Sequence, residues 1–199
     1  MESSTRQLHV NTAVGRRVAK RILAVEPLDP STFVLVSNLY SASGRWHCSE
    51  ATRQEMREKG MRKQPCQSWI IHDNEIHSFQ VRDVSHLQSM NIYRGLEVLL
   101  LECMRSGYEP GTSFVLHEVE DHQKKDLLFC HSAKLTATYG LLMTSLVQVI
   151  RIVKNVHVCG DCHSFLKHVS AVSEREISLR DGSGFHFFSD GQYSCRDYC

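Results

Sequence analysis

The chain has 199 residues, 42% of them hydrophobic and 23% charged, a globular composition that excludes disordered and fibrous classes and suffices for one domain plus a smaller attached unit. Lysine plus arginine number 23 against 22 for aspartate plus glutamate, a formal net charge of +1, so the chain as a whole is no attractor for phosphate backbones, and nucleic-acid affinity requires a local patch or another segment. No apolar run approaches the ~20 residues that cross a bilayer, and MESSTRQLHV lacks the apolar core of a secretory signal, so the expectation is a soluble chain with no membrane partner.

Residues 13 to 60 read as three short helices. Val14, Val18, Ile22 and Val25 recur at helical spacing; Asp29-Pro30 supplies an N-cap with proline in the first turn; Phe33, Val36 and Tyr40 carry the apolar face on to Gly44. Trp46 to Lys59 repeats the pattern and stops at Gly60. Such hairpins match the end of a helical-repeat array, with an independent three-helix bundle as the alternative. Pro65 breaks the helical pattern, and Ser68 to Ile71 followed by Glu75 to Val81 alternates like two strands around an Asp73-Asn74 turn. The spacing predicts a boundary there: a helical extension over 1–64 and a second domain over 65–199 that includes the 65–84 hairpin.

Leu87 to Arg105 is predicted helical, with Ile92, Leu96, Leu99, Leu100 and Cys103 on one side and Gly107 as the stop. Ser113 to His117 is a predicted strand, residues 121 to 143 a predicted helix containing His131, and Val147 to Val153 the strongest predicted strand. Phe165, Leu166, Val169 and Val172 place Cys159 and Cys162 at a helix N-terminus, where orphan N–H groups and the positive helix end favour thiolate. Glu176 to Arg180 and Phe185 to Phe188 read as two further strands, with turns at Gly182-Ser183-Gly184 and Asp190-Gly191.

Eight cysteines occupy positions 48, 66, 103, 130, 159, 162, 195 and 199. Without an export signal a disulfide framework is not the first reading. Cys48, Cys66, Cys103 and Cys130 have no mutual ligand spacing and are read as packing residues. His131 with the pair Cys159 and Cys162 supplies three zinc ligands and leaves a fourth coordination position for water, the layout of a catalytic zinc site. Two alternatives stay open on spacing: a closed structural zinc site, and covalent c-type haem attachment, because His163 directly follows the Cys-x-x-Cys pair. His163, His186, Cys195 and Cys199 form a second group with the residue types of a structural zinc site.

Cys159-Gly160-Asp161-Cys162-His163, then Arg180-Asp181, Phe185-His186-Phe187-Phe188, Asp190-Gly191 and Cys195-Arg196-Asp197-Tyr198-Cys199, together resemble the DYW domain of plant pentatricopeptide-repeat RNA-editing proteins. His131-Ser132-Ala133-Lys134-Leu135 resembles that family's H-S-E-K-L segment, and Pro65-Cys66-Gln67-Ser68-Trp69-Ile70 its P-G-x-S-W-I box. Phe33 to Tyr40 and Gly44-Arg45-Trp46 resemble its helical extension motifs. The resemblance implies an α/β, cytidine-deaminase-like three-layer core with a central sheet flanked by helices, preceded by helical-repeat-like hairpins. It implies C-to-U deamination in organellar transcripts, in chloroplast or mitochondrion, on single-stranded RNA read by an upstream repeat array. Other RNA-editing factors are implied as partners.

The implied cofactor is one zinc on His131, Cys159 and Cys162, and a second, structural one on His163, His186 and the C-terminal cysteines. Besides Cys66 in place of the glycine of the P-G box, three departures bear on the chemistry. Ala133 stands where the family has the glutamate that moves protons; Tyr193-Ser194-Cys195 replaces a C-x-C pair; and Cys199 replaces the final tryptophan. With one thiolate lost, the second site retains His163, His186 and Cys195, completed by Cys199, by water or not at all. Ala133 has no ionisable group, so the expected product is a zinc-binding deaminase domain that is weak or inactive, or alternatively a catalytically dead platform that recruits or complements another editing factor.

Overall fold

A computed structural model describes residues 12–25, 29–115 and 120–194. The chain divides into two compact units, one of residues 1–64 with 116–118 and one of residues 65–115 with 119–199.

The first unit holds α1 (Thr12–Val25), α2 (Pro30–Ala42) and α3 (Trp46–Glu58). Asp29 caps α2, its carboxylate accepting the Ser31 and Thr32 N–H groups at 3.2 and 2.9 Å. Proline at the first helical position has no N–H to leave orphaned, which is why the Asp-Pro pair starts the helix cleanly. Phe33 and Val36 of α2 are buried, and Ser49 of α3 is hydrogen-bonded to Ser37 and Ser41 of α2 at 2.9 and 2.8 Å. Gly44 and Gly60 end α2 and α3 with positive φ.

The second unit is α/β. A six-stranded mixed sheet has the order β2-β1-β3-β4-β5-β6, built from β1 (Gln67–His72), β2 (Glu75–Gln80), β3 (Ile150–Lys154), β4 (Ile177–Arg180), β5 (Phe185–Ser189) and β6 (Gln192–Tyr193). β1 and β2 form a hairpin through Asp73 and Asn74, both at positive φ as a two-residue primed turn requires. β3 and β4 are parallel and are joined through α7 (Gly160–Ser173); the remaining pairings are antiparallel. α6 (Ser132–Met143) packs on β1, β2 and β3, α7 packs on β5 and β6, and α4 (Ser89–Arg105) lies on α6 and α7. Sheet, α6 with α7, and α4 thus make three layers. Between the layers are Ile70, Phe79, Ile92, Leu96, Leu135, Tyr139, Ile150, Ile152, Phe165, Leu166, Ile177, Leu179 and Phe188.

Gly140 lets α6 approach the sheet. A Cβ at this position falls 2.6 Å from Ile150 Cγ2 and 3.2 Å from Ile70 Cδ1. Gly140→Ala is therefore expected to lower stability by about 1–2 kcal/mol, because overpacking of about 1–3 kcal/mol outweighs the up to about 1 kcal/mol gained in helix propensity. A denaturant titration of the two proteins checks it, and an increased midpoint for the variant would refute the close-approach argument.

Three predicted elements differ from the structure. The single helix over 121–143 is two, α5 (Asp121–Phe129) and α6, with extended backbone at His131 between them. The Cys130 carbonyl accepts the Arg82 N–H at 3.0 Å and so serves the segment after β2 rather than a continuing helix. The strand over 147–153 begins only at Ile150, because Arg175 donates to the Thr144 side chain and the Gln148 carbonyl at 2.7 and 2.5 Å and holds the preceding residues as a turn. Where a strand was expected at 113–117, Thr112–Phe114 is a 3-10 turn, and Leu116 and His117 lie outside the described residues.

Candidate metal centre

Two helix starts build the centre. His131 is the N-cap residue of α6 and Cys159 the N-cap residue of α7, while Cys162 lies in the first turn of α7. The break that removes His131 from a continuous helix is what turns its ring towards the cysteines: Nδ1 is 3.3 Å from Cys162 Sγ and 3.5 Å from Cys159 Sγ. The three ligand atoms lie within 4.8 Å of one another. Tetrahedral zinc with Zn–S of ~2.3 Å and Zn–N of ~2.0–2.1 Å gives N···S edges of about 3.6 Å, so both measured edges fit that ion. Cys162 is buried; His131 and Cys159 are half-buried.

The electrostatics prepare one ligand and hold back another. The Cys162 thiol donates to Cys159, and although burial opposes ionisation, that bond together with His131 and the Cys162 N–H holds the Cys159 thiol well below its ordinary value. The same hydrogen bond and burial push Cys162 well above its ordinary value. At neutral pH the ion-free pair therefore holds one proton, and a cation must displace it. Zinc binding is expected to release about one proton from the cysteine pair, with apparent affinity falling about tenfold per pH unit on acidification. Competition with a chromogenic chelator across pH 6 to 8 measures this, and a pH-independent affinity would contradict it.

Behind the centre is a network to which sequence reading assigned no role. Lys134, Asp161 and Tyr108 are buried. Lys134 Nζ lies 2.7 Å from Asp161 Oδ2 as an ion-pair contact and donates to the Tyr108 hydroxyl at 2.7 Å. The Tyr108 hydroxyl donates to Asp161 Oδ1 at 2.8 Å, and the Gly111 N–H donates to the same oxygen at 2.9 Å. Asp161 lies between Cys159 and Cys162, and Lys134 next to Ala133, so the network ties both ligand-bearing helix starts to one buried charge pair. Burial and the Asp161 carboxylate keep the Tyr108 phenol protonated. The one signal in the sequence was a charged residue of each sign inside the motif segments themselves.

Ala133, in the first turn of α6, is 0% exposed and offers no group that carries a proton. Cys66, read as a packing residue, instead accepts from the buried Lys154 ammonium at 2.7 Å, which also donates to Ser132 Oγ at 3.1 Å. Cys103 behaves as expected of packing: it is buried, and burial pushes its thiol up to about 12.

Of the second group, His163 and His186 are buried with ring centroids 5.6 Å apart, and Cys195 and Cys199 lie outside the described residues. His186 Nε2 is 3.2 Å from Asp181 Oδ1. Burial pushes the Asp181 carboxyl up, but Ser183, the Val158 N–H and His186 together hold it well below the usual carboxylate range. Asp181 is thus an ionised neighbour of this histidine pair, and its hydrogen bond to the Val158 N–H braces the residue before Cys159. Among the described residues, His131, Cys159 and Cys162 are the grouping of three or more His, Cys, Asp or Glu side chains that fits a metal ion.

Residues 107–199 match the model of the DYW family of nucleic acid deaminases, and residues 9–71 match that of the E motif. A pentatricopeptide repeat-containing protein of Arabidopsis thaliana is 57% identical over 192 residues, covering 96% of this chain and 21% of the relative. A second from the same plant, described as chloroplastic, is 41% identical over 196 residues, 96% of this chain and 23% of its own length. A third, described as mitochondrial, is 38% identical over 192 residues, 96% of this chain and 31% of its own length. The chain therefore spans about a fifth to a third of the relatives it matches. No helix among the described residues is long and apolar enough to cross a membrane.

Proposed function

We propose that the chain, whose residues 107–199 match the model of the DYW family of nucleic acid deaminases, is the zinc-binding cytidine deaminase domain of an organellar C-to-U RNA-editing factor, weakened or inactive because Ala133 replaces the catalytic glutamate. The observation that carries this reading is the convergence of His131, Cys159 and Cys162 beside a buried alanine. Zinc held by these three residues would supply water activated for attack on the cytosine ring carbon bearing the amino group. The chain's own residues set the remainder. His131 and Cys159, placed by helix starts, and Cys162, braced through Asp161 and Lys134, fix the ligand geometry. No acid or base stands at position 133 to deliver protons to the ring nitrogen and the departing ammonia, and loss of positioned general acid–base catalysis costs on the order of 10²- to 10⁴-fold.

The other parts of the proposal follow from the relatives. An upstream pentatricopeptide array would bring single-stranded RNA to the domain, and chloroplast or mitochondrion would be its compartment, in line with two relatives described as chloroplastic and mitochondrial. His163 and His186, with Cys195 and Cys199, would hold a structural zinc. Because of Ala133 a second reading has its own support: a catalytically dead zinc-binding platform that recruits or complements another editing factor.

Metal analysis of the purified chain is the first test. About one zinc per chain supports the His131 site alone, about two support both sites, and none removes the basis of the reading. Deamination of a target RNA by the unmodified domain fused to its matching repeat array is expected to stay near background, and full activity would sink the reading of an impaired enzyme. Loss of editing in vivo on removal of this protein, rescued by its own Ala133 form, would favour the platform.

A further inference from the structure

Among the described residues, the sheet of the second unit alternates between buried residues on one side and exposed or half-buried residues on the other. Ile150 and Ile152, Ile177 and Leu179, and His186 and Phe188 point into the core. The alternate residues face outwards: Arg151 and Val153 on β3, Ser178 and Arg180 on β4, Phe185 and Phe187 on β5. Register lines them up in two rows, Val153 with Arg180 and Phe185, and Arg151 with Ser178 and Phe187. Trp69 of β1, half-buried, extends the first row through its pairing with Val153.

Phe185 and Phe187 are 60% and 55% exposed, which is unusual for two large apolar rings side by side. Their rings are nearly parallel, 11° apart with centroids 6.1 Å apart, and the Arg180 guanidinium lies 5.6 Å from the Phe185 centroid. None of the outward strand residues of β3, β4 and β5 is Asp or Glu; Glu176 lies just before β4. The outward strand residues of β3, β4 and β5 thus carry two guanidiniums and no carboxylate, although the whole chain carries only +1.

We propose that this open sheet face, centred on Phe185, Phe187, Arg180 and Arg151, binds single-stranded RNA, with bases stacked on the two phenylalanine rings and phosphates paired with the two guanidiniums. Sheet faces carrying exposed aromatics stack unpaired bases, and such stacking tolerates any base because each has a π-face. Arginine adds charge complementarity to phosphate and stacks with the same bases. The face would hold the strand on the side of the sheet opposite to that bearing α6 and α7, whose starts carry the metal ligands, so it is a holding surface separate from the reacting position. The choice of RNA over another anionic polymer rests on the family reading above; the presence of the face does not.

The test is fluorescence anisotropy of the full chain against a labelled single-stranded oligouridylate of about 12 nucleotides, within the range of site sizes known for stacking platforms. Phe185→Ala and Phe187→Ala are each expected to weaken binding roughly tenfold, from a stacking contribution of about 1–3 kcal/mol per base. Phe185→Leu and Phe187→Leu keep an apolar strand, so weakened RNA binding with unchanged melting temperature isolates stacking from folding. Arg151→Gln and Arg180→Gln are each expected to flatten the salt dependence by about 0.7 in the log–log slope for a single strand. Absence of RNA binding by the unmodified chain, or unchanged affinity in the folded leucine variants, overturns the proposal. So does light scattering that finds a dimer dissolved by those leucine changes while RNA affinity stays constant, which would assign the face to a second copy. Zinc content is measured throughout: lost RNA binding with zinc retained indicts this face alone, whereas lack of zinc in the unmodified chain indicts the metal reading alone.

Discussion

Ala133→Glu is expected to raise cytidine deamination on the order of 10²- to 10⁴-fold, the contribution of a positioned general acid–base group, when the domain is joined to a repeat array that matches the RNA. The position favours a carboxylate in two ways. It lies in the first turn of α6, where orphan N–H groups and the positive helix end stabilise negative charge, and it lies two residues after His131, whose ring faces the Cys159 and Cys162 sulfurs. Alanine there is 0% exposed, so the new carboxylate would be desolvated unless a cation stood nearby. The variant is accordingly expected to be less stable than the parent with zinc removed and to recover on zinc addition, which thermal melts with and without chelator would measure. A zinc-loaded, folded Ala133→Glu protein without increased deamination would show that position 133 is not what limits this domain.

Lys134→Met is expected to have the largest effect on stability, a loss of about 3–5 kcal/mol, because removing one partner of a buried ion pair leaves the other charge uncompensated. Lys134 is 0% exposed and its ammonium touches both Asp161 and Tyr108. Cation–π contacts of Lys134 with the Phe165 and Tyr108 rings, at 4.8 and 5.1 Å, would be lost as well. Adding Asp161→Asn to Lys134→Met is expected to recover much of the loss: the amide oxygen still accepts from the Tyr108 hydroxyl and the Gly111 N–H, and no net charge stays buried. Chemical denaturation of the two variants decides it. Equal losses in the single and double variants would mean that Lys134 acts by packing, not by charge compensation.

Much of the fold was legible because local rules agreed with the final packing. Asp29-Pro30 started a helix, Asp73-Asn74 closed a hairpin, and Gly107 ended α4 at positive φ, each through chemistry contained within a few residues. The grouping of His131, Cys159 and Cys162 was legible because ligand residue types and a helix-start spacing are written in the chain, and the structure brings those side chains within 4.8 Å of one another. Where the reading failed, residues distant in sequence had intervened. Arg82 takes the Cys130 carbonyl and splits the helix over 121–143, and Arg175 holds the turn that shortens the strand before Ile150. Cys66 looked inert until Lys154, on a neighbouring strand, was seen to reach its sulfur.

Local sequence carried most of the helices and strands, the residue types and spacing of His131, Cys159 and Cys162, and the lack of an ionisable group at position 133. Those are properties of single residues and of short periodic patterns. Only the tertiary structure decided that the His131 ring faces both thiols, that Lys134 and Asp161 form a buried pair behind them, and that Phe185 and Phe187 share an open face with Arg151 and Arg180. Hydrogen bonds, burial and strand register join residues far apart in the chain, and no local periodicity records which distant groups will meet.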